Sequence, residues 1–232
     1  MYKYQFGFRR NHSTALALIE VLDNIYRKLD ENETVLGIYL DLQKAFDTVN
    51  HEILLYKLHY YGICGIGYNW FINYIDNRQQ FTSVDQVHSK LAEIKCGVPQ
   101  GSVLGPLLFL IYVNDIVHAV PDHNVKLFAD DTNLFISGRN IDLLNQKANE
   151  SLKHLNNWFL ANKLSLNLEK TCYMVFPSHN DHTINLKLNV TEIKRVNSCH
   201  YLGIIIDDAL KWTPHIEKIY RHLLKYVGIF IN

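Results

Sequence analysis

Asp130 and Asp131 stand side by side in Val125–Ile136, VKLFADDTNLFI, between two short runs rich in β-formers. The pattern predicts a β-hairpin with both carboxylates at or beside its tip. Two such charges about 4 Å apart repel by roughly 4 kcal/mol at an effective dielectric near 20, so a cation is expected nearby, with a divalent metal the obvious candidate. Asp is also a common turn residue, and for the hairpin taken alone that ordinary reading is the stronger. A third carboxylate, Asp41, closes the distant apolar run Val35–Leu40. If that run is a strand beside the hairpin, three carboxylates share one sheet edge with no basic partner in the motif. Hard ions such as Mg²⁺ bind through one or two carboxylates together with substrate phosphates. A pair of them about 3.5–4 Å apart can activate an attacking hydroxyl and stabilise the leaving oxygen of an in-line phosphoryl displacement. Taken by itself, Asp41 reads first as an ordinary strand-end or helix-cap carboxylate.

Three further features bear on a substrate. The loop Gly97–Gly105, GVPQGSVLG, is the most glycine-dense part of the chain. It offers exposed backbone amides to a phosphate or a base pair, and Gln100 within it could hydrogen-bond a nucleotide. A strand-to-helix connection that needs glycine for its dihedrals is the ordinary reading. Lys170 follows a long helical pattern and could face a phosphate, although a lysine near a helix end is usually just solvated. Phe46, five residues beyond Asp41, is core by default, or else floors a nucleotide pocket and senses a sugar 2′-position.

Elements that can hold these groups are legible in the hydrophobic pattern. Ala15, Leu18, Leu22, Ile25 and Leu29 predict a helix with Asn11 or Ser13 as its cap. Val35–Leu40 reads as a buried strand. Val49, Ile53, Leu54 and Leu58 predict a second helix capped by Asp47 or Thr48 and ended by Gly62, and a third is expected over Tyr68–Asp76. Extended segments are expected at Gln80–Val87 and Leu91–Lys95, joined by a polar turn. Pro106 suits the first turn of the helix after the glycine loop. Pro121–Asn124 marks a turn, and Ile141–Leu164 a long helix with Leu144, Ala148, Leu152, Leu155 and Phe159 on one face. Strand-like runs follow at Thr171–Phe176, Ile184–Val190, Glu192–Val196 and Tyr201–Ile206, and a last helix begins near Pro214. The alternation is that of an α+β fold, with distant strands adjacent in one sheet and helices behind it.

Composition narrows the class. The chain has 232 residues, 48% hydrophobic and 12% aromatic, enough for a sizeable core. Its 23 basic residues balance 23 acidic ones, which counts mildly against a stand-alone nucleic-acid binder, although a local basic groove can coexist with an acidic site. The longest apolar run, Val103–Val113, is broken by Gly105 and Pro106 and too short to span a bilayer, so no membrane is expected. Cys64, Cys96, Cys172 and Cys199 form no CxxC pair, which indicates reduced thiols in a cell interior. The 12 histidines show no HExxH or HxH spacing.

Six segments in order, QFGFRRNHST, LDLQKAFDTVNH, GVPQGSVLGPLLFLIYVNDI, FADD, KLSLNLEKTCYMVF and YLGIIIDDALKWTPHI, resemble the reverse transcriptase domain of non-LTR (LINE-like, jockey-type) retrotransposons. The resemblance implies a right-hand polymerase palm with partial fingers over 1–206, its antiparallel sheet backed by helices, and the start of a thumb over 207–232. It implies Asp41, Asp130 and Asp131 as ligands of two Mg²⁺ ions, with Mn²⁺ able to substitute. Phe46 would be the gate against ribonucleotides, Gln100 and Gly101 would contact incoming nucleotide and template, and Lys170 would sit near the triphosphate. The partners implied are an RNA template, a DNA primer and deoxynucleoside triphosphates, in a compartment that the nucleus would suit. Family members carry further basic fingers motifs upstream, and an endonuclease domain, so the chain is expected to be a fragment. The competing reading is an inactive remnant serving as a nucleic-acid-binding or protein-interaction module. An unrelated metal-dependent phosphohydrolase leaves GVPQGSVLGP and YLGIIID unexplained.

Overall fold

The computed structural model describes residues 1–76, 78–120, 125–177 and 184–230; the turn expected at Pro121–Asn124 lies outside them. Its centre is strand β1 (Thr34–Leu40), buried along its whole length. β2 (Val125–Phe128) and β3 (Asp131–Gly138) form the expected hairpin, β4 is Cys172–Phe176, and β5 is Lys194–Arg195. The sheet order is β5-β4-β1-β3-β2. Pairing is antiparallel among β4, β1, β3 and β2, whereas edge strand β5 runs parallel to β4.

Strand alternation divides the core in two. Leu36, Ile38 and Leu40 of β1, with Leu134, Ile136, Tyr173 and Val175, pack against helices α2 (His51–Tyr60), α4 (Leu104–Val113) and α5 (Ile141–Ala161). Val35 and Tyr39, with Phe135, Met174 and Phe176, face the other way, towards α1 (Thr14–Asp30) and the residues Tyr201 and Ile206. A one-residue slip would put Gly37, Tyr39 and Asp41 on the helix-backed face. Burying each large aliphatic side chain contributes about 1.5–3 kcal/mol, so the three displaced from β1 fix the register. The face that Asp41 takes is settled by this packing.

Several elements differ from the pattern read in the sequence. The α1 stripe is Ala17, Val21 and Ile25, with Ala15 exposed, because the helix presents Val21 and Ile25 to the sheet. Ser13 is its cap. The cap of α2 is Asn50, whose side chain accepts from the Ile53 amide at 3.1 Å, not Asp47 or Thr48. Residues 43–47 make turns first, so the helix starts later than its apolar stripe. The third helix, α3, begins earlier than expected, at Gly65, and ends at Ile75. Within 79–93, the tight turn is Asp85–Gln86, inside the segment expected to be one strand; both have positive φ (48° and 66°), the signature of a type I′ hairpin. Tyr201–Ile206 is likewise not one strand. It splits into β6 (Ser198–Tyr201) and β7 (Ile204–Asp207), joined at Leu202–Gly203 with φ of 46° and 92°. Glu192–Val196 divides too, since Thr191–Glu192 pairs with Lys187–Leu188 while β5 joins the main sheet. Helix α6 (Thr213–Phe230) carries Pro214 in its first turn. Among the described residues no helix is long and apolar enough to cross a membrane.

Candidate active site

The β1–β3 ladder ends with Leu40 opposite Thr132. One further step sets Asp41 beside Asp131, and strand alternation puts both on the face of Tyr39 and Asn133. Asp130 lies in the two-residue turn between Phe128 and Asp131, which pair across the hairpin. The other turn residue, Ala129, has a φ of 55°, a position where glycine is usual. Holding an alanine there costs on the order of 1–3 kcal/mol and needs support from its surroundings. Asp131 keeps an exposed surface but is crowded by protein atoms. That crowding, followed by the charges of Asp130 and Asp41, pushes its carboxyl up to about 6. Asp131 therefore lies within electrostatic reach of both other carboxylates.

A second set of backbone bonds brings Lys170 to this edge. Asn167 donates its amide to the Asp41 carbonyl at 2.8 Å, Gln43 to the Ser165 carbonyl at 2.8 Å, and the Asp41 amide points to Thr171 Oγ1 at 3.4 Å. The segment before β4 is thus stapled to the end of β1. Lys170 Nζ comes to 3.9 Å from Asp41 Oδ2 with its side chain 70% exposed. Such a pair is worth about 0–1 kcal/mol, so the ammonium can turn towards another anion at little cost.

The Gly97–Gly105 loop docks on the residues that follow Asp41. Val98 donates to the Phe46 carbonyl at 2.8 Å and Gly97 to the Val49 carbonyl at 2.7 Å. Phe46 is half-buried, its ring stacked on Phe109 at 4.4 Å and edge-on to Phe8 at 6.2 Å. Gln100 is exposed and donates Nε2 to Asp47 Oδ1 at 2.7 Å, so Asp47 orients Gln100 and does not cap α2. Gly101 has a φ of 77° and open space around its α-carbon. Gly97 combines a φ of 92° with close approach, since a Cβ there would meet the Asp47 carbonyl oxygen at 2.8 Å. Gly97→Ala is expected to cost about 1–3 kcal/mol. A thermal melt should show a loss of several degrees, at about 2–4 °C per kcal/mol.

Residues 1–206 match the reverse transcriptase (RNA-dependent DNA polymerase) family. The chain belongs to that family. This reverse transcriptase chain is 31% identical over 224 residues to the RNA-directed DNA polymerase from mobile element jockey of Drosophila melanogaster, covering 94% of this chain and 24% of the relative. It is 29% identical over 233 residues to the probable RNA-directed DNA polymerase from transposon BS of the same species, covering 94% and 25%. It therefore spans about a quarter of the length of these relatives. Among solved structures it is similar to apo telomerase from Candida tropicalis, with a TM-score of 0.56 at 14% identity, covering 83% of this chain and 35% of that one. A second neighbour is telomerase from that yeast in complex with a TWJ fragment of telomeric RNA, with a TM-score of 0.50 at 15% identity, covering 83% and 32%. Both likenesses concern the fold, a mixed helix–sheet palm.

Around the hairpin of this reverse transcriptase chain, sequence reasoning missed Gln5 and Gly7. Both lie against the hairpin tip at the open edge of β2: Gln5 Oε1 accepts from the Ala129 amide at 3.0 Å, and a Cβ on Gly7 would come within 2.3 Å of the Ala129 nitrogen. The only local signal was a glutamine and a glycine beside aromatics in QFGF. Among the described residues no group of three His, Cys, Asp or Glu side chains is gathered closely enough to hold a metal ion by itself. An open edge of carboxylates still suits Mg²⁺, which keeps several waters and completes its shell with substrate phosphates. The raised Asp131 carboxyl has a measurable consequence. Its pKa is higher folded than unfolded, so its contribution to stability worsens as pH rises from about 4 to about 6. Asp131→Asn should match the parent in metal-free melts at pH 3, below both values, and melt slightly higher at pH 7. Exposure holds the gain below about 1 kcal/mol. An equal difference at both pH values would refute the shift.

Proposed function

We propose that this chain supplies the nucleotidyl-transfer centre of an RNA-directed DNA polymerase, extending a DNA primer 3′-hydroxyl on an RNA template with deoxynucleoside triphosphates. The observation that carries the proposal is the convergence of Asp41 and the Asp130–Asp131 hairpin on one sheet edge. Membership of the family supports it, and a telomerase neighbour of this fold, solved in complex with a TWJ fragment of telomeric RNA, is in keeping with nucleic-acid binding. We assign residues 1–206 to palm with partial fingers and 207–232 to the start of a thumb.

Asp41, Asp130 and Asp131 would hold two Mg²⁺ ions, or Mn²⁺ in their place. When bound, the ions supply charge neutralisation at the attacking and leaving oxygens of an in-line displacement. The carboxylates themselves orient that centre through β1 and the hairpin. Phe46, on its stack with Phe109, walls the sugar side of the nucleotide pocket, and Gln100 and Gly101 border the space in which a base pair would sit. Lys170 turns its ammonium from Asp41 towards the triphosphate. Primer extension on an RNA template is the test: products should form with Mg²⁺ or Mn²⁺ and disappear with EDTA. Folded chain that binds primer–template and extends nothing would reject the catalytic reading in favour of a nucleic-acid-binding module.

A further inference from the structure

Gln5 is 1% exposed, and a buried carboxamide persists where its donors and acceptors are matched. Its Oε1 accepts two amides, from Ala129 at 3.0 Å and from Gly7 at 2.8 Å, while Nε2 faces the Ala129 carbonyl at 3.5 Å. One side chain thus reaches both main-chain polar groups of the residue immediately before Asp130, the same residue that carries the positive φ. The chain around Gln5 is built to keep it there. Phe6 donates to the Leu127 carbonyl at 2.8 Å and Leu127 to the Tyr4 carbonyl at 2.9 Å, so the segment runs as a short parallel addition along β2. Arg9 Nη1 ties down the Tyr2 and Gln5 carbonyls at 2.9 and 3.0 Å. At Gly7 the backbones meet so closely that a Cβ would overlap the Ala129 amide.

We infer that Gln5 is a positioning residue for the hairpin tip, setting the placement of Asp130 and Asp131 relative to Asp41 and hence the affinity of that edge for divalent metal. The inference rests on the polymerase reading for its consequence in catalysis. Gln5 reaches main-chain groups, so it acts through Ala129. Groups that orient metal-binding side chains typically change metal affinity or activity by about 10–100-fold when removed, and a misplacement near 1 Å can cost about 10²-fold in rate.

Gln5→Met keeps the volume and removes the acceptor. In folded Gln5→Met, Mn²⁺ affinity by electron paramagnetic resonance and kcat should each fall by about 10-fold or more, with Kd for primer–template unchanged. Unchanged Mn²⁺ affinity and kcat per folded molecule, even with a lower Tm, would overturn the inference and leave Gln5 a structural staple. If the variant does not fold, hydrogen exchange on the parent protein decides: the Ala129 amide should be as protected as the β1 amides, and exchange at open-turn rates would overturn the clamp. Should the parent bind Mn²⁺ and extend no primer, the polymerase reading fails. The Mn²⁺ comparison then still judges Gln5.

Discussion

Asp130→Ala is expected to lower single-turnover primer extension by about 10³-fold or more, since a carboxylate that orients a catalytic metal is worth several kcal/mol of barrier and each 1.36 kcal/mol is about tenfold in rate. Stability should not follow. Asp130 repels its neighbour Asp131, so the metal-free variant should melt at or above the parent temperature. This opposition, activity lost while Tm holds or rises, separates a functional carboxylate from a turn residue chosen for its conformation. Were Asp130 an ordinary turn aspartate, its alanine variant would lose a little stability and keep extension within tenfold. That result would remove it from the proposed metal site.

Phe46→Ala should raise ribonucleotide use relative to deoxynucleotide by about 10-fold or more, because contacts that reject one extra substituent are worth about 1–3 kcal/mol. In the fold the ring does a core job, and its role at the sugar is the proposal. It is stacked on Phe109 from the core side and left half-exposed on the other. Truncation therefore destabilises as well, by less than the roughly 3–5 kcal/mol of a fully buried Phe. The ratio of kcat/KM values for the two sugars, measured on one sample, cancels any loss of folded protein. An unchanged ratio would mean that the exposed side of Phe46 meets no sugar.

Much of the site was legible because chemical type and local period carry it. Asp41 ends a run of apolar β-formers and Asp130–Asp131 interrupts another, so strand ends and hairpin tip follow from pattern. The α5 stripe from Leu144 to Phe159 appeared as read, since a long amphipathic helix repeats its signal many times. Short elements were read less well. YLGIII has the look of a single buried strand, and only the left-handed conformation of Leu202, supported by Gly203, folds it into β6–β7. The sequence pointed to Asp47 or Thr48 as the cap of α2. Asp47 is instead taken by Gln100, from a loop distant in sequence, and Asn50 caps α2.

By itself the sequence determined which groups could do chemistry here, three carboxylates with a lysine and a glycine loop, and which stretches would be strand or helix around them. Those properties reside in side-chain type and in periods of two and 3.6, which neighbouring residues express together. Only the tertiary structure decided that Asp41 comes beside Asp131, because that depends on the register of β1 against β3, which sets Leu40 opposite Thr132. It alone decided that Gln5 closes the hairpin tip, through a hydrogen bond between residues 124 positions apart. No local pattern encodes such a partner, since a buried amide is stabilised only by the group that the completed fold brings to it.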